Sequence, residues 1–214
     1  MNIEAILVKI AIVIIPLIFA ITVHEAAHGW MANKFGDDTA RNLGRITLNP
    51  IKHIDPIGTV IVPLIMVIIS NFIFGYAKPV PVDWNKLRHP RRDMALVALA
   101  GPGANFVMAL IWAAIAKATL GNSGSLPYIH ATAIFGIHIN ILLLLLNLIP
   151  IPPLDGSRVI TSLLPPRAAM IYNAIEPYGI WILLLLLVSG ALTLILMPQA
   201  NYSIGIIKQL FGIP

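Results

Sequence analysis

The sequence predicts an all-α polytopic membrane protein of about four to five transmembrane helices, with a re-entrant segment and a small β-sheet at the membrane edge. Three observations carry that prediction. Hydrophobic residues make up 58% of the 214-residue chain and charged residues 11%, with a mean hydropathy of +0.87, more apolar character than a soluble core of this size needs. Apolar runs long enough to cross a bilayer occur at 6–23, 94–118, 131–149 and 180–197, with a fifth, 57–74, at the lower length limit. The charges lie in short loops between these runs: 34–52, 78–92 and 158–167 together hold 11 of the 14 Lys and Arg.

The first run lacks a clear basic segment ahead of it and leads straight into His24-Glu25-Ala26-Ala27-His28, so it is expected to be retained rather than cleaved as a signal peptide. Residues 41–48 alternate loosely between polar and apolar, and 78–82 (Lys-Pro-Val-Pro-Val) read as an edge strand; together they predict the small sheet. Gly58 and Pro63 break the run 57–74, which is therefore expected to enter the membrane and return on the same side. A single full crossing there would put the ends of the first run and of 131–149 on opposite faces. With a re-entrant segment both ends share a face with the three basic loops, which makes that face cytoplasmic and the N-terminus external. Pro150, Pro152 and Pro153 predict an extended stretch after 131–149. Pro177 and Gly179 join the last two segments, 171–178 and 180–197, a candidate lateral gate by position.

Composition also removes some function classes. The net charge of +5 sits in the short loops, where membrane topology and anionic lipid account for it, and no nucleic-acid partner is expected. The tract 86–92 reads as an anchor on such lipid. Cysteine is absent, which excludes disulfides and thiolate ligands and leaves His, Asp and Glu as metal-binding candidates.

The residues that carry chemistry begin with His24 and His28. Four apart on a helix, the two imidazoles share one face and can reach a single zinc ion, with Glu25 beside the water that the ion activates, as general base. Ionisable groups at membrane depth are costly and mark functional sites. A catalytic zinc needs a third protein ligand. Asp155, in Pro152-Pro153-Leu154-Asp155-Gly156, is the best candidate, and Gly156 would allow a tight approach. The competing reading is that Asp155 caps a helix beginning near Ser157. His138, His53 and Asp55 are the runners-up. Gly101, Gly103 and Ala104 suit close helix packing, and for Asn105 a structural interhelical bond is favoured over orienting a site residue. Asp37 and Asp38 read as a solvated turn.

His24-Glu25-Ala26-Ala27-His28, Gly101-Pro102-Gly103-Ala104-Asn105 and the stretch from Asn147 to Asp155-Gly156 together resemble the site-2 protease family of intramembrane zinc metalloproteases. The resemblance implies one zinc per chain on His24, His28 and Asp155, with Glu25 activating water and Asn147 holding the substrate carbonyl or its oxyanion. It implies a single integral-membrane domain, with the catalytic core at about 6–165 and C-terminal helices at about 166–214, similar to the compact subgroup without PDZ or CBS modules. The expected partners are the lipid bilayer and a transmembrane protein substrate carrying helix-weakening residues near the cut. The expected location is the cell membrane of a prokaryote, with the active site near the cytoplasmic side. The alternatives are a metal-ion transporter and an inactive membrane scaffold. A glutamate wedged between two ligand histidines has no use in a transit site, and every expected catalytic position is filled.

Overall fold

The computed structural model describes residues 3–55, 78–121 and 126–214. Among them are eight α-helices: α1 (Ile3–Lys34), the single turn α2 (Thr39–Asn42), α3 (Pro90–Ala118), α4 (Leu126–Asn147), α5 (Asp155–Leu163), α6 (Pro166–Asn173), α7 (Glu176–Val188) and α8 (Ala191–Phe211). Short 3₁₀ turns at Pro50–His53 and Trp84–Lys86 punctuate the connection from α2 to α3. The helical class is as the sequence predicts.

Helices α1, α3 and α4 pack against one another and form the frame of the molecule. The cross-links fix their directions. Residues 20, 24 and 28 of α1 meet residues 105 and 97 of α3 in reverse order, so these two helices are antiparallel. Asn140 of α4 meets Asn105, and the chain just beyond α4 returns to His24 and His28, so α4 runs parallel to α1. Among the described residues, three helices are long and apolar enough to cross a membrane, Ile10–Lys34, Pro90–Ala118 and Pro127–Asn147. Their outward faces carry exposed Ile14, Phe19, Leu99, Phe106 and Ile111, apolar surface that suits lipid contact. Small residues let the frame close up: Ala109, Ala113 and Ala116 of α3 meet Ala133, Ile137 and Ile141 of α4, and α8 adds Ala200, Ile204 and Ile207. Gly136 leaves room for the Trp112 ring, which a Cβ there would overlap.

Several expectations are corrected. The run 180–197 is not one helix: α7 ends at Val188, and Gly190, at φ 77°, interrupts the helix before α8 begins at Ala191. At 13 residues, α7 is about 20 Å long, short of a roughly 30 Å hydrocarbon layer. With α6, from which it bends by 57°, it makes at most a fourth span, a broken one. No β-strand occurs among the described residues, including 41–48 and 78–82 where a sheet was expected. The reason is local. Pro79 and Pro81 have no N–H to offer a partner strand, Val80 N–H is spent on the Glu25 carboxylate, and the carbonyls of Lys78 and Pro79 accept from the Arg45 guanidinium. The run 57–74 lies outside the described residues.

The stretch after α4 is turned rather than extended. Ile151 N–H donates to Ile149 O at 2.8 Å and Leu154 N–H to Ile151 O at 2.9 Å, with Pro152 and Pro153 in the middle of that turn. Asp37 is fully buried rather than solvated. It accepts from Thr39 N–H, Thr39 O–H and, at 2.7 Å, Asp83 N–H, and so fastens the segment 78–86 to the end of α1.

Candidate metal centre

His24 and His28 lie within α1 rather than at its edge, one turn apart and buried, with their rings edge-to-face at 4.6 Å between centroids. Asp155 is the first residue of α5. Its carboxylate does not cap that helix, whose N-cap is Leu154 without any side-chain bond. It turns back to α1, with Oδ2 3.2 Å from His24 Nε2 and 3.3 Å from His28 Nε2, while the two Nε2 atoms stand 3.0 Å apart. Gly156 makes this return tight, for a Cβ there would lie 2.7 Å from Ile149 O and overlap Leu148 O.

The outer nitrogens of both imidazoles are already spoken for. His28 Nδ1–H donates to Val97 O at 2.8 Å, and His24 Nδ1–H donates to Asn105 Oδ1 at 2.6 Å. Each neutral ring therefore turns a lone pair, not a hydrogen, inward at Nε2. Asp155 Oδ2 is buried and has no hydrogen-bond donor, although two nitrogens lie close to it. Three lone pairs thus converge on one point, an arrangement that repels itself until a cation, a metal ion or a proton, is shared among them. The separations of 3.0–3.3 Å are a little under the edge of about 3.4 Å of a tetrahedron with bonds near 2.1 Å. His24, His28 and Asp155 can hold a metal ion, and their chemistry and spacing fit zinc.

Glu25 stands on the same helix, half-buried, with Oε2 accepting Val80 N–H at 2.7 Å. Asn105 combines the two roles weighed from the sequence: besides His24 it bonds Ala20 O at 3.2 Å and Asn140 at 2.9 Å. Asn147 ends α4, where its amide N–H donates to Leu143 O at 3.0 Å. The runners-up do not join the cluster. His138 bonds Ile134 O in its own helix and His53 bonds Thr47 O, while Asp55 is engaged elsewhere.

Sequence reasoning missed two residues. Gly101, read as a packing glycine, is where α3 faces the imidazoles: a Cβ there would overlap His28 Nε2 and stand 2.6 Å from His24 Cε1 and Nε2. Asn140, a lone amide in a long apolar run, went unremarked, although a buried amide in such a run is itself a signal.

The family model described as Peptidase family M50 matches residues 12–124, a stretch that contains both the histidine pair and Gly101 to Asn105. The chain belongs to peptidase family M50. Among relatives of this M50 chain, the Bacillus subtilis protein YwhC, named as a zinc metalloprotease, is 37% identical over 204 residues, covering 93% of this chain and 90% of YwhC. Rip2 of Mycolicibacterium smegmatis, likewise named as a zinc metalloprotease, is 29% identical over 182 residues, 85% of this chain and 68% of Rip2. Rip2 of Mycobacterium tuberculosis H37Rv is 27% identical over 206 residues, 94% and 73% of the two chains. No solved structure matches. Membership decides for an intramembrane zinc metalloprotease over a transporter or scaffold, and the apolar helices make it an integral membrane protein.

Proposed function

We propose that this chain hydrolyses a peptide bond within or near a transmembrane segment of a membrane-protein substrate, with His24, His28 and Asp155 as ligands of one zinc ion and Glu25 as general base. One observation carries the reading: three inward lone pairs, one on a buried carboxylate oxygen without a donor, converge beside a glutamate. Zinc, when bound, supplies Lewis acidity that makes water nucleophilic near neutral pH and polarises a carbonyl. Glu25 takes the proton from the attacking water and returns it to the leaving amine. Val80 N–H holds the glutamate carboxylate in place, and Asn105 and Val97 O hold the imidazoles. Asn147 donates its amide N–H to the developing oxyanion, turning from Leu143 O to do so. The substrate helix has to open locally before its carbonyl can be reached, which favours substrates with Gly, Asn or Pro near the cut.

In the proposed topology His53 and Lys78, on either side of the run 57–74, lie on one face of the membrane, a view supported by the bond from Lys78 N–H to His53 O at 3.0 Å. The basic loops lie at the end of the frame where α1 finishes and α3 begins, and Arg91 ties that end to Ser162 O and Leu164 O. This supports a cytoplasmic position for the site, and the bacterial relatives support a prokaryotic cell membrane. Reporters fused after Phe74 and after Pro50 should both read cytoplasmic; opposite readings overturn this topology.

The deciding experiment measures zinc content and cleavage of single-span model substrates by wild type and Glu25→Gln, in detergent and in lipid. About one zinc in each protein with cleavage by wild type alone is the expected result. Equal cleavage by both proteins, or a wild type without zinc, overturns the assignment.

A further inference from the structure

We infer that Asn140 is a positioning residue for the metal centre: it fixes which way round the Asn105 amide lies, and through Asn105 the tautomer and aim of His24. The inference rests on the reading of His24, His28 and Asp155 as zinc ligands.

Two groups in this part of the frame have a fixed polarity: the carbonyls of Ala20 and Gly136 can only accept hydrogen bonds. The Asn105 atom 3.2 Å from Ala20 O must therefore be the amide nitrogen, and its oxygen must be the atom 2.6 Å from His24 Nδ1. The Asn140 atom 2.9 Å from Gly136 O must likewise be nitrogen, which leaves its oxygen to accept the second hydrogen of the Asn105 amide at 2.9 Å. The series runs from the backbone of α4 through Asn140 and Asn105 to a ligand on α1. Both asparagines are 0% exposed, so water does not replace a lost partner. If the Asn105 amide turned over, its NH₂ would face His24 Nδ1 and drive the ring hydrogen to Nε2, the atom that must present a lone pair to the ion. Asn140 and Ala20 O together oppose that reversal. Without Asn140, one of the two amide hydrogens is left unpaired and a single carbonyl holds the orientation.

The test is a double-mutant cycle on the zinc dissociation constant of the purified full-length protein, measured by chelator competition. Asn140→Ser is the informative change, because a serine hydroxyl bonds back to Gly136 O within its own helix yet is too short to reach Asn105. Loss of a group that orients a ligand histidine weakens metal binding by about 10–100-fold, expected for Asn105→Leu, with about tenfold for Asn140→Ser. The double variant should match Asn105→Leu to within about twofold, since Asn140 then has nothing left to orient. Asn140→Asp, neutral in this setting and able to offer one acceptor and one O–H, should stay within about threefold of wild type. Effects that multiply in the double variant, or an Asn140→Ser that binds like wild type, overturn the inference. Should the serine variant fail to fold, a tenfold loss in Asn140→Asp does so instead. A wild type that binds no zinc overturns the metal centre itself, a result separate from any of these.

Discussion

Gly101→Ala is the sharpest probe of the centre, because helix propensity and site geometry pull it in opposite directions. Inside α3, alanine in place of glycine should stabilise the helix by about 1 kcal/mol. At this position the new methyl would occupy the space between the two Nε2 atoms. It would overlap His28 Nε2 and stand 2.6 Å from His24 Nε2, about 0.8 Å short of the 3.4 Å at which ordinary contact begins. The rings have little room to retreat, since Asn105 Oδ1 and Val97 O hold their far sides at 2.6 and 2.8 Å. Metal ligands tolerate displacements of about 0.2 Å, a quarter of what the methyl demands. We expect zinc affinity to fall at least about 100-fold, or about 2.8 kcal/mol, with the metal-free protein no more stable than wild type, because the overlap with the two rings opposes the helix gain. Chelator competition reads the first quantity and thermal unfolding with and without zinc the second. Gly103→Ala is the control, because nothing lies within 4 Å of its Cβ position. A Gly101→Ala protein that binds zinc within about threefold of wild type would refute the reasoning.

Three further predictions concern the surroundings of the centre. Asn147→Leu should lower kcat by about 10²–10³-fold and leave zinc affinity unchanged, the mark of a donor used in the reaction and not in metal binding; kinetics beside metal titration separate the two. Gly179→Ala should destabilise the fold by about 1–3 kcal/mol in thermal unfolding, because its Cβ would overlap Pro152 O, in the loop that leads to Asp155. Burial works against the Asp37 carboxylate, but the Thr39 bonds, the Asp83 N–H and the nearby Lys86 outweigh it and hold its pKa below the usual aspartate value. The stability it contributes is full above the unfolded value of about 3.9 and is lost as the pH falls through the lower folded one, so Asp37→Asn should flatten the acid limb of stability against pH, and an unchanged limb would count against this.

The elements that could be read from the sequence were those governed by a single strong physical effect. Long apolar runs had to become membrane helices, and the four-residue spacing of His24 and His28 needed only helical geometry to bring the imidazoles together. Asp155 could be picked because carboxylates at that depth are rare, but its cap-like neighbourhood left two roles open, and only the turn at 150–154 shows which way the side chain faces. The 180–197 run failed because hydropathy does not register a left-handed Gly190. The edge-strand reading of 78–82 failed for a related reason: a segment rich in proline was assigned to a ladder, while its few polar groups answered to Glu25 and Arg45. Gly101 and Asn140 act through contacts between helices, and no spacing rule within one helix points across to another.

The two imidazoles belong to the first helix, and the carboxylate arrives only after two further spanning helices have been placed. An ion shared among them would therefore act as a staple across the chain loop from His28 to Asp155, and a staple closing so long a loop removes much of the freedom of the unfolded chain. Metal loading and the docking of α5 onto the frame would then be one equilibrium seen from two sides. Free zinc concentration would set how much of the protein is assembled as well as how much is active.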